Sequence, residues 1–190
     1  MISCEQDPVQ PNNNGNQVSP PTGEMQTPFS EDWDNWDFAV QLTDSTAITI
    51  DVFTAFSEDW DNWDFSGSGI SGDIFTAFSE DWDNWRLNNA NYTIQIRTGF
   101  SEDWDNWDID DNANGWHCDV RTAFTEDWDN WDADDSDNSM HVDLGTAFTE
   151  DWDNWDVSGN WDASYPIEYK LAIMFVPVIV NVLIIQGLIP

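Results

Sequence analysis

Between Thr46 and Thr54 the chain alternates, with Ile48, Ile50 and Val52 on one side of an extended backbone and Thr49, Asp51 and Phe53 on the other. The same period returns later, where Met140, Val142 and Leu144 alternate with His141, Asp143 and Gly145. A period of two predicts strands with one buried face. Turn signals interrupt the alternation at "TDST", "GSG", "NNAN", "DNANG" and "DDSDNS", so successive strands are expected to join in hairpins. Between the hairpins lies an acidic phrase, in its fullest form "TAFTEDWDNWD" at Thr146–Asp156, with six near-identical copies along the chain. Aligned on Phe29, Phe56, Phe78, Phe100, Phe124 and Phe148, the copies are spaced by 27, 22, 22, 24 and 24 residues. Repetition at that period predicts supersecondary units that complete their core against neighbours.

Inside the phrase, Ser30, Ser57, Ser79, Ser101, Thr125 and Thr149 each precede a Glu-Asp pair, the composition of a capped helix start. Phe148, Trp152 and Trp155 then fall at i, i+4 and i+7, one face of a helix. The phrase therefore predicts a short capped helical turn, aromatic side inward and Asp/Asn side outward. The expected fold is an all-β repeat protein, a meander of hairpins with short capped helical turns in six repeats of 22–27 residues. Its alternative is a parallel β-solenoid, in which equivalent aspartates would stack about 4.8 Å apart. Uneven spacing and clear hairpin turns favour the meander.

Charge narrows the partners. The 190 residues carry 38 acidic side chains against four basic ones, Arg86, Arg97, Arg121 and Lys170, for a net charge of -34. Fourteen tryptophans and 40% hydrophobic residues mark a folded chain rather than the disorder such a charge usually signals. An acidic surface repels phosphates, which argues against direct nucleic acid binding and for cations, a basic protein or another surface ligand as partners. Tryptophan with aspartate also fits a carbohydrate platform, but a dozen indoles left in water would form one adhesive patch, so the motif aromatics are read as core.

The N-terminus "MISCEQDPVQPNNNGNQVSPPTGE" resembles the cleavage end of a bacterial lipoprotein signal peptide followed by its tether. The resemblance covers residues 1–25 only and implies lipidation at Cys4, with Ser3 as the small residue before it. Three residues precede Cys4, where a signal peptide carries its charged and apolar parts. The expected address is the cell envelope or the exterior, lipid-anchored through Cys4; it is the cytoplasm if Met1 is the true start.

Two sets of candidate ligands stand out. The spacing D-x-D-N-x-D offers only oxygen donors, which suits calcium; the set is Asp32, Asp34, Asp37, Asp59, Asp61, Asp64, Asp103, Asp105, Asp108, Asp127, Asp129, Asp132, Asp151, Asp153 and Asp156. It lacks the glycine and terminal glutamate of an EF-hand loop, and a purely solubilising acidic edge is the competing account. The only histidines, His117 and His141, both begin H-x-D, each seven residues before its repeat's phenylalanine. As a single shared transition-metal site they would need solenoid spacing, so two exposed histidines are expected. Cys118 alternates with Trp116 and Val120 and reads as a small buried hydrophobe.

From Leu171 onward, "LAIMFVPVIVNVLIIQGLIP" runs twenty residues without a charge, long enough to span a membrane. Because Tyr165, Ile167 and Tyr169 extend the period-two pattern, the segment is read as an apolar cap or subunit contact. The organisation expected is a disordered tether at 1–26, a six-repeat β domain at 27–164 and the cap or membrane/subunit contact segment at 165–190. Near-identical copies offer no asymmetric carboxylate pair for acid-base chemistry, and no phosphate loop or nucleophile elbow appears. The function expected is a non-enzymatic acidic surface scaffold or adhesion module, calcium-responsive, with oligomers allowed by the tail. The alternative is an acidic nucleic-acid mimic that inhibits a basic DNA-binding protein.

Overall fold

The computed structural model describes residues 23–43, 46–79, 81–137, 139–148, 152–160 and 164–189. Twelve strands follow one another: β1 (Gly23–Gln26), β2 (Asn35–Thr43), β3 (Thr46–Thr54), β4 (Asn62–Gly67), β5 (Ile70–Thr76), β6 (Asn84–Asn89), β7 (Thr93–Thr98), β8 (Asn106–Asp111), β9 (Trp116–Thr122), β10 (Asn130–Asp135), β11 (His141–Thr146) and β12 (Asn154–Asn160). A single helix, α1 (Ile167–Ile185), ends the chain. Every strand pairs antiparallel with its neighbours in sequence, and β1 also pairs with β12, Met25 opposite Trp155. The meander is therefore a closed barrel, and the solenoid alternative is set aside. Closure removes both sheet edges, which no local pattern in the sequence announces. The barrel begins at Gly23, so its first strand takes in four residues read from sequence as tether; Cys4 lies outside the described residues.

Alternation decides which side chains line the lumen. The second tryptophan of each phrase, Trp36, Trp63, Trp85, Trp107, Trp131 and Trp155, is at most 1% exposed. It is the second residue of an even-numbered strand, so period two carries the next inward position to Phe38, Phe65, Leu87, Ile109, Ala133 or Val157, all buried. The odd strands answer with Val52, Ile74, Ile96, Val120 and Leu144. Packing varies around the wall: Phe65 sits opposite Gly72, where an added Cβ would lie 2.7 Å from the Phe65 ring and 2.1 Å from the Asn88 carbonyl oxygen.

The lumen is filled by α1. Leu171 to Val176 and Val178 to Val180 are buried on every side of the helix, which is why it carries no polar stripe. Phe175 meets Trp63 and Trp85 edge-on at 5.5 and 5.7 Å. The helix is long and apolar enough to cross a membrane, and in the structure its surface is buried within the barrel. The tail is thus neither a seventh strand nor a lid over the last repeat but an internal plug.

Polar groups fix its direction. At the end of the barrel with the short turns, Asn89 donates to Glu168 at 2.5 Å and Tyr169 to Asp111 at 2.8 Å, while Tyr165 donates to Asp135. Trp116 stacks on Tyr169 with ring centroids 3.9 Å apart. At the opposite end Asn181 donates to the Trp152 carbonyl at 3.2 Å. The helix enters at the turn end and emerges among the acidic phrases.

Candidate functional site

The phrases occupy the long hairpin loops at one end of the barrel, and the first five do not form helical turns. Each of these five makes two consecutive tight turns: in one copy the Asp59 amide donates to Phe56 and the Asn62 amide to Asp59, at 2.9 and 3.0 Å. Between them Glu31, Glu58, Glu102 and Glu126 take left-handed backbone conformations, with φ between 58° and 60°. Non-glycine residues there are strained by about 1 kcal/mol or more, so something must hold them. What holds them is the preceding phrase around the ring. Asp83 accepts from the Thr98 hydroxyl at 2.8 Å, the Ser101 hydroxyl at 3.1 Å and the Glu102 amide at 2.9 Å. Asp34 accepts in the same way from Ser57, the Glu58 amide and Trp60, and Asp105 from Thr122 and the Glu126 amide.

The main chain repeats this link at all six steps. Thr54 donates to Asp34, Thr76 to Asp61, Thr98 to Asp83, Thr122 to Asp105, Thr146 to Asp129 and Thr27 to Asp153, at 2.9 to 3.1 Å. The last of these closes the circle, and Asp153 also receives Ser30 and the Glu31 amide. Of the Ser/Thr hydroxyls predicted to cap helices, those of Ser30, Ser57 and Ser101 reach sideways to a neighbour instead; Thr149 lies outside the described residues. This explains a constant phrase between drifting linkers, since each copy must both give and receive the same contact.

The aromatic face also differs from expectation. Phe29, Phe56, Phe78, Phe100, Phe124 and Phe148 are 75–79% exposed, because the double turn lifts them off the wall rather than winding them inward. The first tryptophans, Trp60, Trp82 and Trp104 among them, are half-buried against the core. Ile185 and Leu188, where α1 emerges, are the other exposed large apolar residues among those described. All eight therefore lie at the phrase end, interleaved with Glu31, Glu58, Glu102 and Glu126.

The candidate calcium ligands are divided among three environments. Asp34, Asp105, Asp129 and Asp153 accept from the following phrase, as does the Asp61 carbonyl. Asp32, Asp103 and Asp127 accept from the asparagine three residues on, and Asp59 lies against Asp61, whose hydrogen bond raises its pKa. Asp37, Asp64, Asp108, Asp132 and Asp156 stand on the outer wall, opposite Asp51, Asp73, Asp119, Asp143 and Glu24. Asp151 lies outside the described residues. Burial, and then the facing carboxylate, pushes Asp37, Asp64 and Asp132 above the usual range. Arg86, the one base at this position, faces uncharged Gln95.

The histidines stand on the same wall, each facing an aspartate rather than each other. His117 lies opposite Asp110 and His141 opposite Asp134. Hydrogen bonds donated to those carboxylates raise both imidazoles above their usual pKa, against the opposing effect of burial. Cys118 is buried as expected, with its thiol pushed far up by burial. Comparison with family models, curated proteins and solved structures finds no match.

Two features escaped the sequence reading: the exposed phenylalanine ring and the Asp–His pairing across hairpins. The second had a signal, since D-x-D precedes each H-x-D across a turn in "DIDDNANGWHCD" and "DADDSDNSMHVD".

Proposed function

We propose that the protein is a non-enzymatic binding module of a surface scaffold, which docks a basic, amphipathic partner on the phrase end of the barrel. The observation that carries this reading is that, among the described residues, every exposed large apolar side chain lies at that end. Contiguous exposed apolar surface on a soluble fold marks an interaction site. The glutamates between the phenylalanines select the sign of the partner. A second copy would bring like charge to like charge, and anionic head groups would be repelled in the same way. With α1 filling the lumen, the barrel serves as a rigid mount for its loops, and the carboxylate pairs on the wall make its stability responsive to calcium. The N-terminal segment bearing Cys4 supplies the anchor to the cell surface.

The test uses two fluorescent probes, an amphipathic lysine-leucine peptide and a hexalysine peptide. The protein is compared with a variant carrying Phe56→Ser, Phe78→Ser, Phe100→Ser and Phe124→Ser, positions whose exposure leaves the barrel intact. Binding of the amphipathic peptide is expected to weaken at least tenfold in the variant while hexalysine binding is unchanged. Equal binding of the amphipathic peptide by both proteins would overturn the assignment and favour a decoy that acts through charge alone.

A further inference from the structure

The hairpins β8–β9 and β10–β11 carry the same outward-facing square of side chains. In the first, Asp108 faces Asp119 and Asp110 faces His117; in the second, Asp132 faces Asp143 and Asp134 faces His141. Strand geometry puts residues two apart on one face, so the four side chains converge. The ligand atoms of Asp108, His117 and Asp119 lie within 4.8 Å of one another, as do those of Asp132, His141 and Asp143. The remaining aspartate has a separate job: Asp110 meets Nδ1 of His117 at 2.8 Å and Asp134 meets Nδ1 of His141 at 2.8 Å. A proton on Nδ1 held by a carboxylate leaves the Nε2 lone pair aimed at the other two acids. That is the outer-shell arrangement that orients metal-binding imidazoles.

Distances agree with this division of labour. Nε2 of His117 is 3.2 Å from Asp119 and Nε2 of His141 is 3.3 Å from Asp143. Two ligands bound at about 2.0 to 2.1 Å around a tetrahedral ion stand about 3.3 Å apart. Substitution within the chain follows the same logic. At the position facing the aspartate or its equivalent, the other hairpins pair Ala39 with Thr49, Ser66 with Ser71 and Asn88 with Thr93. Histidine thus occurs only where an aspartate holds it. Arg97 takes the second oxygen of Asp110 at 2.6 Å, and Arg121 stands 3.6 Å from Oδ2 of Asp119, whereas Nε2 of His117 meets Oδ1.

We infer that Asp108/His117/Asp119 and Asp132/His141/Asp143 are two independent sites for a divalent transition metal, with Asp110 and Asp134 as positioning residues. One imidazole and two carboxylates suit zinc, cobalt or manganese, leaving coordination positions for water or for a donor from a partner. Unlike the calcium response, these sites need nitrogen. They also stand apart from the phenylalanine ring, so failure of the docking proposal leaves them untouched.

The test is titration of the full chain with cobalt(II), then displacement by zinc, in excess calcium so that carboxylate-only sites are filled. Visible absorption reports the coordination and calorimetry the stoichiometry. Two equivalents are expected, one in His117→Ala or His141→Ala, and none in the double variant. Asp110→Asn should weaken its own site about 10- to 100-fold while the Asp132/His141/Asp143 site of the same molecule keeps its affinity. Stoichiometry unchanged in the double histidine variant, or no binding under these conditions, overturns the assignment and leaves the histidines as counter-charges for an acidic wall.

Discussion

Removing one link of the loop ring tests why the phrase is constant. Asp83→Ala deletes three hydrogen bonds, to the Thr98 and Ser101 hydroxyls and the Glu102 amide. Bonds to a charged acceptor contribute about 1.5 to 3 kcal/mol each when buried and less at a half-exposed site. Ser101 and Glu102 regain water as partners, whereas Thr98 is only 8% exposed and loses most. A gross loss of about 3 kcal/mol is offset by about 1 kcal/mol as Glu102, held at φ 59°, relaxes. The net expectation is about 2 kcal/mol, or about 4 to 8 °C in melting temperature. Urea denaturation measures the first number, and the midpoint should fall with an unchanged slope. Amide exchange at Glu102 should accelerate in step. Glu102→Gly supplies the control: it keeps the amide and removes the strain, so it should be neutral or stabilise by up to about 1 kcal/mol. If Asp83→Ala lies within about 0.5 kcal/mol of the parent and Glu102 keeps its protection, the link contributes nothing, and the constancy of the phrase needs another cause.

Trp107→Ala, at 1% exposure against the plug, should cost about 3 to 5 kcal/mol by denaturation, and the half-buried Trp104→Ala measurably less; equal effects would contradict the lumen assignment. In the presence of a chelator, stability should peak between pH 3.8 and 6.5, the ordinary values of the aspartates and histidines. The raised histidines contribute stability that is complete below 6.5 and lost as pH rises through their folded values, and the raised Asp37, Asp64 and Asp132 add a cost that begins earlier, as pH rises from 3.8 through theirs. Asp111 and Asp135, lowered by hydrogen bonds that outweigh burial, lose their contribution as pH falls below 3.8 through their folded values; a maximum near pH 8 would refute this account. Calcium should raise the melting temperature above sodium chloride of equal ionic strength, and Arg86→Asp with Gln95→Asp, which builds a sixth carboxylate pair, should enlarge the difference. Superimposable melts in the two salts would reduce the wall to screened charge.

The strands and their hairpin turns were legible because each leaves a period of two over a few residues; the second tryptophan was placed inward on helical spacing, although it belongs to the strand that follows. Trp107 and Ile109 face one way, Asp108 and Asp110 the other, and no distant contact is needed to see it. Closure was not legible, since Thr27 and Asp153 meet across most of the chain and nothing near either residue marks the other. The helical reading of the phrase failed for a related reason. Phe124, Trp128 and Trp131 have the same helical spacing as Phe148, Trp152 and Trp155, but the backbone reverses twice between them, stabilised by an acceptor on another copy. The plug was misread because Tyr165, Ile167 and Tyr169 continue a period of two into the apolar segment, and only a lumen walled by tryptophans makes a helix without a polar face stable. For the wall, the acids were visible as a sum of charge, while the pairing of Asp110 with His117 required the register of the hairpin.

Closure also fixes how many units the protein carries. Open arrays gain or lose repeats with small consequence, because a new unit adds an interface like the old ones. Here loss of one unit would leave a ten-stranded wall, and barrel girth falls with strand number, so α1 would no longer fit among the tryptophans. Gain of one would leave a gap around it. Near-identical coding stretches invite unequal crossing-over, yet only exchanges that restore the original number yield a fold that shuts. Sequence can therefore spread from copy to copy, homogenising the loops, while length cannot drift. The helix acts as a gauge of repeat number, and variants with five or seven units should express as insoluble or protease-sensitive chains.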